Sequence, residues 1–374
     1  MIGRRLCRHH LLQPAPSDRL AEVVSEICGA HAQVGASAEL MLGLRVAGIT
    51  RQDVRTALWR TRSLVKTVGL RGTLHLFSAE EVPLWMAVNR LRFDAEERHR
   101  ARRGIDAGRF HAVVEAISDA VGPEPITRPE LEAAIAAKAG TWALQRNEGW
   151  VGNYMNWPLA LGWAAALGRV CYGPGEGGRV TYVRLADWSG WREEDPFQAG
   201  LFALRRFLHA YGPSTPAEFC RWLALEPAVV RSLFEAAEPE LEPVDVEGSR
   251  RWLLADDATG DWLPATDAAH LLPHFDQFVV GSHPREQLIP PGSPVAVASP
   301  GTAAPLAVLL LGGQVAGVWQ RQAKGKRLLV RVDSYVGLSR RQKMALTEQA
   351  TRVAEILELS LELEFGAVPL RKHL

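Results

Sequence analysis

Cys28-Gly-Ala-His-Ala-Gln33 and, further on, Val68-Gly-Leu-Arg-Gly-Thr-Leu-His-Leu76 decide how the first part of this chain is read. In the first stretch two polar side chains, His31 and Gln33, stand one residue apart among small apolar neighbours. In the second, glycines punctuate an apolar run, so residues 64–66 and 71–77 are expected to pair as strands around Gly69. Upstream, Ser17-Asp18 reads as the N-cap of a helix over 19–27. The run Ile49-Thr-Arg-Gln-Asp53 opens a second helix with Val54, Ala57 and Leu58 at helical spacing. Helix, helix and a two-stranded wing is the order of a winged-helix unit.

The same alternation recurs along the chain. Helices are expected over 108–121, after the capping box Thr127-Arg-Pro-Glu130, and over 152–167 despite Pro158. A hairpin follows over 169–172 and 179–185, turning through Gly173-Pro-Gly-Glu-Gly-Gly178, which lacks the Gly-Lys-Ser ending of a phosphate loop. A third group has helices over 197–211, after Ser214-Thr-Pro-Ala-Glu218, and over 228–235, then a hairpin over 241–246 and 250–254. The remainder turns Pro- and Gly-rich, then gives strands over 307–311, 317–321 and 328–332, a helix over 339–357 and a strand over 359–365. The expected organisation is four consecutive segments: helix-plus-wing units over 1–100, 101–195 and 196–260, and a β-rich α+β domain over 261–374. No strict sequence repeat accompanies this architecture.

A chain of 374 residues with 47% hydrophobic and 23% charged residues is globular and exceeds one ordinary core. No apolar run is long enough for a bilayer, no secretory signal core follows the basic N-terminus, and four scattered cysteines offer no Cys-x-x-Cys pair. A cytoplasmic protein without metal or organic cofactor is expected. The net charge of +1 conceals asymmetry: from Arg45 to Arg71 there are seven basic residues against one acid, Asp53, and a second basic cluster runs from Arg90 to Arg109. Such clusters fit either a phosphate-tracking surface or a solvated face with Arg–Glu pairs.

His31-Ala-Gln33 followed by Arg71-Gly-Thr-Leu-His75 resembles the AlkZ-like (YcaQ/AlkZ superfamily) winged-helix DNA glycosylases. In that family a Gln-x-Gln or Gln-x-Asp motif precedes an Arg-Gly-Thr-x-His strand. Tyr211-Gly-Pro-Ser-Thr-Pro-Ala-Glu-Phe-Cys-Arg-Trp222, Leu272-Pro-His-Phe-Asp276 and Val315-Ala-Gly-Val-Trp-Gln-Arg321 extend the resemblance over nearly the whole chain. It implies three tandem winged-helix units in a C-shaped body with a β-rich C-terminal part, acting on duplex DNA that carries alkylated bases. The implied activity is monofunctional hydrolysis of the N-glycosidic bond of alkylated purines. The substrates would be N7-alkylguanine and bulky genotoxin adducts or crosslinks, in base excision repair or self-resistance of a toxin producer. A bacterial, nucleoid-associated monomer is expected.

Carried onto this chain, the motif makes His31 and Gln33 the catalytic candidates, with histidine where the family has its first glutamine. Histidine titrates near neutrality, so His31 is read either as a base or holder of the water, or as a hydrogen-bonded core residue. Gln33 is read as stabilising the sugar, and no lysine beside the motif supports a Schiff-base lyase. Arg71, Thr73 and His75 would alternate along one strand face, as a phosphate row or as a locally hydrogen-bonded wing. Candidate DNA contacts are Arg45, Arg60, Arg62, Lys66, Arg71, Thr73, His75, Asn153, Lys324 and Lys326. Trp150, Tyr154 and Trp157 read as packing, Asp276 as structural, and His274 with His283 as loop residues rather than metal ligands. A non-catalytic winged-helix DNA-binding protein or regulator is the alternative, and a toxin-sequestering protein a weaker one.

Overall fold

The computed structural model describes residues 1–102, 106–149, 152–177, 179–257, 268–298 and 306–370. These form a mixed α+β fold of two compact units, each assembled from separated stretches. The first comprises Met1–Arg55, Arg206–Glu218 and Pro239–Leu374, and the second Thr56–Arg205 and Phe219–Glu238. These boundaries cut across the expected segments 1–100 and 196–260, and the segments 101–195 and 261–374 each fall within one unit. Among the described residues no helix is long and apolar enough to cross a membrane.

The first unit is organised by a five-stranded sheet, in the order Ala269–Leu272, Val308–Leu311, Gln314–Lys324, Arg327–Ser334, Ser360–Phe365. Its pairs are antiparallel until the last, which is parallel. A parallel return needs a crossover, and the helix Arg340–Leu357 supplies it, opened by the reciprocal capping box of Ser339 and Gln342. Because side chains alternate along a strand, the sheet has two apolar faces. One carries Leu309, Val330 and Val332 against Leu346, Val353 and Ile356 of that helix and Leu40 and Leu44 of the helix Gly35–Arg45. The other carries Val308, Leu310 and Val318 against Leu6, Leu11 and Phe278. Each such buried side chain is worth about 2 kcal/mol. Gly43 lets the two helices meet: a Cβ there would lie 2.7 Å from Ile356 Cγ1.

The helix Gly35–Arg45 was not expected. Every residue from Leu40 to Arg45 is buried, so its second half has no polar face and its periodicity there is silent.

The second unit holds the hairpin Leu64–Val68 with Leu74–Ser78, the helices Val82–Arg90, Phe93–Arg102, Ala107–Ala120, Arg128–Ala139 and Trp157–Ala166, and the hairpin Cys171–Glu176 with Arg179–Val183. Thr127 and Glu130 cap one of these helices reciprocally, as their spacing foretells. The helix expected over 152–167 is corrected. Gly152–Met155 is a strand paired with Arg146–Gly149, and the helix begins at Trp157 with Pro158 in its first turn, where a missing N–H costs nothing. Trp85 anchors the core, stacked on Phe77 at 5.3 Å and met edge-on by Phe202 and Trp222.

Candidate active site

The His-x-Gln segment leaves the helix Leu20–Glu26 through Cys28 and Gly29, both at positive φ (64° and 84°). His31 follows in extended conformation and is 4% exposed; Gln33 is exposed in the bend that opens the helix Gly35–Arg45. The imidazole lies flat on Phe275, with centroids 5.1 Å apart and planes 14° from parallel.

Phe275 is held as firmly as the ring it carries. Its φ of +58° is a left-handed conformation that costs a bulky residue about 1–2 kcal/mol. The neighbour Asp276 pins it there: one carboxylate oxygen accepts from Phe278 N at 2.9 Å, capping Gln277–Gly281. The same carboxylate accepts from Arg45 Nη1 at 2.9 Å and Nη2 at 2.7 Å. Both side chains are fully buried, and Arg45 Nη1 also donates to Met41 O at 3.0 Å. The contacts close a ring: Gln33 leads into the helix, Arg45 ends it, Arg45 clamps Asp276, and Phe275 supports His31.

Around this ion pair burial disfavours the charged form of His270 and His9. Burial, with a smaller push from Arg45, lowers His270 to about 4. Burial likewise holds His9 well below its ordinary range; its ring meets Tyr211 and Phe278 edge-on at 4.9 and 5.3 Å. The Tyr211-to-Trp222 signature is also structural at its start: Tyr211 Oη donates to Gln277 O at 3.0 Å, and buried Glu218 accepts from Arg251 Nη1 at 2.9 Å and Ser214 Oγ at 2.6 Å.

The expected DNA contacts divide by exposure. Arg45 is corrected: fully enclosed with Asp276, it has no surface to offer a phosphate. His75 is also buried, 1% exposed and stacked on Phe77 at 5.5 Å. Arg71, Thr73 and His75 do not share a strand face. The strand begins only at Leu74, and Arg71 sits in the turn Leu70–Gly72 at φ +54°, donating to Trp222 O at 2.9 Å. Thr73 Oγ1 closes that turn on Leu70 O at 2.9 Å. Arg60 and Arg62 are exposed, the latter over the Trp188 ring at 3.8 Å; Lys66 is half-buried, 5.4 Å from the Tyr172 ring. Lys324 and Lys326 stand exposed at the hairpin tip between two long strands. Asn153 lies in Gly152–Met155, but its side chain, like Trp150, falls outside the described residues.

Phe275 as the platform of His31, and Arg45 as the clamp on Asp276, were not foreseen. Leu-Pro-His-Phe-Asp flagged the right turn, but its partner lies 231 residues earlier.

The sequence profile of the AlkZ-like family, described as DNA glycosylase AlkZ-like, matches residues 24–356. An interstrand DNA cross-link repair glycosylase of Streptomyces sahachiroi is 29% identical over 330 residues, covering 84% of this chain and 85% of that protein. The solved structure of the Streptomyces sahachiroi DNA glycosylase AlkZ superposes with a TM-score of 0.77 at 26% identity, covering 97% of this chain and 98% of that one. The chain therefore belongs to the AlkZ-like family of DNA glycosylases, enzymes acting on N-glycosyl bonds.

Proposed function

We propose that this protein is a monofunctional DNA glycosylase that hydrolyses the N-glycosidic bond of alkylated purines, chiefly N7-alkylguanine, in duplex DNA. The observation that carries this reading is the pairing of a rigidly stacked imidazole, His31 on Phe275, with an exposed carboxamide two residues on, Gln33. N7-alkylguanine already bears positive charge and leaves readily, so the enzyme need not protonate it strongly. What remains is to place a water and to stabilise an oxocarbenium-like sugar. A carboxamide suits both tasks, since its oxygen accepts from water or faces the cationic sugar and its nitrogen donates. Gln33 is the group open to substrate. His31, 4% exposed, acts from beneath, orienting Gln33 and the water it holds.

The helix-and-hairpin groups of 1–100, 101–195 and 196–260 serve, on this reading, as three winged-helix units that track the duplex, with 261–374 as the β-rich support. Exposed Arg60, Arg62, Lys324 and Lys326 supply phosphate contacts. The relative's name, an interstrand cross-link repair glycosylase, supports bulky adducts or crosslinks as substrates. The test is incubation with a duplex carrying N7-alkylguanine, scored as alkali-labile abasic sites. Base release is expected from the native chain and lost in the folded His31→Ala, Gln33→Ala double variant. Undiminished release by that variant, or tight binding of undamaged sequence with no release from any adduct, would overturn the proposal.

A further inference from the structure

The second unit contains a cavity of about 330 Å³ between the turn Leu70–Gly72 and the helices Phe93–Arg102 and Trp157–Ala166. Its size falls within the range of ligand sites. Its wall carries Arg71, Arg92, His99 and Arg100 against a single acid, Glu96. That carboxylate is already engaged: it accepts from Trp163 Nε1 at 2.6 Å and from Arg92 Nη2 at 2.8 Å, with Arg100 Nη1 at 3.8 Å. The cavity therefore keeps an excess of positive charge.

Its aromatic groups hold the cations rather than a base. Phe93 stacks on Trp163 at 3.8 Å, and the Arg100 guanidinium lies 4.1 Å over the same indole and 3.9 Å over Phe110. Two groups that close to one ring cannot share a face, so Trp163 has none left for a nucleobase. Arg100 Nη2 is buried without a hydrogen-bond partner among the described residues, and burial lowers the affinity of this guanidinium for its proton. That nitrogen lacks an acceptor, although Glu96 and Glu97 offset part of the guanidinium's charge. On the facing wall, the left-handed backbone of Arg71 between Gly69 and Gly72 is local strain, which collects where a side chain must be aimed. Pro158, Leu159 and Gly162 add an apolar lip beside the charged wall, suited to the sugars that flank a diester.

We propose that this cavity is a seat for a backbone phosphodiester of DNA, gripped by Arg71, His99 and Arg100. The inference rests on the reading of the protein as one that acts on duplex DNA, and it adds two residues, His99 and Arg100, to the candidate contacts. Seating one phosphate here would fix the register of the strand without reading its sequence.

The test is binding of the full chain to a labelled undamaged duplex across a salt series, with competition by inorganic phosphate and by a nucleoside monophosphate. Arg71→Gln is expected to lower the slope of log affinity against log salt by about 0.9, the loss of one neutralised phosphate. His99→Glu, at an exposed position where packing is not at stake, is expected to weaken duplex binding about tenfold through like-charge repulsion. Arg100→Gln is informative where circular dichroism shows it folded. Unchanged affinity and slope in folded Arg71→Gln and His99→Glu would overturn the seat. So would loss of phosphate or mononucleotide binding with duplex binding intact, which would assign the cavity to a free anion. Base release is scored separately: cavity-dependent duplex binding with no release from any adduct would leave the seat standing and remove the glycosylase reading.

Discussion

Arg45 and Arg71 bound the same basic run of sequence, yet the fold uses them in opposite ways. Arg45 ends a helix whose second half is buried on every side, and its charge is consumed by a bidentate carboxylate inside the first unit. Arg71 sits in a strained turn of the second unit, on the wall of a cavity where cations outnumber acids. The first residue builds the platform for His31; the second is placed to meet an anion. Net charge along a sequence therefore counts candidates for phosphate contact but cannot say which are neutralised. Enclosure and the presence of an acceptor decide that.

The sharpest way to break this contrast is to remove the buried clamp. Arg45→Met leaves Asp276 charged and unpaired, and urea denaturation is expected to show a loss of about 3–5 kcal/mol. Adding Asp276→Asn, which keeps an oxygen for Phe278 N, is expected to recover part of that loss. A denaturation midpoint unmoved by Arg45→Met would show that the clamp does not hold the Phe275 turn.

Acid is the next lever. His270 binds its proton less readily folded than unfolded, with a folded value of about 4 against an ordinary 6.5. Between those values the unfolded chain takes up a proton that the folded chain refuses, so stability from this residue is intact above pH 6.5 and falls as pH drops toward 4. The fall amounts to about 2 kcal/mol between pH 7 and pH 5. His9, also shifted down by burial, acts in the same direction. Denaturation at those two pH values should show a flatter dependence in His270→Gln. An identical dependence would mean that His270 protonates in place.

Arg71→Gln should be the mildest of the three for folding. It gives up the hydrogen bond to Trp222 O, a contribution of about 1 kcal/mol, and relieves no buried charge. A loss comparable to that of Arg45→Met, read by the same denaturation, would place Arg71 among the structural arginines and erase the comparison.

What could be read in advance follows the range of the forces involved. The capping box of Thr127 with Glu130 acts over three residues, and the helix Arg128–Ala139 starts where this pair puts it. The hairpin Leu241–Val246 with Ser249–Leu254 was equally legible from its Gly248 turn. The helix Gly35–Arg45 was not, because burial on all sides of its second half removes the amphipathic signal there. Neither the Arg45–Asp276 pair nor the stacking of His31 on Phe275 leaves a local trace, since each joins residues more than two hundred positions apart. At the site itself, the His-x-Gln spacing identified both candidate side chains. It could not show that one would be enclosed and the other open. Similarly, alternation along 71–77 suggested one strand face, but Gly69 and Gly72 permit a turn that takes Arg71 out of the strand.

The central claim is that the open carboxamide of Gln33, supported by a stacked imidazole, carries the hydrolysis. It is tested most directly by single-turnover base release from an N7-alkylguanine duplex with the native chain and Gln33→Ala, each verified as folded and saturated with DNA. The account predicts a rate lower by about 10²–10³ in the variant, the usual consequence of removing one transition-state contact, with duplex affinity unchanged. Release at the native rate would contradict it.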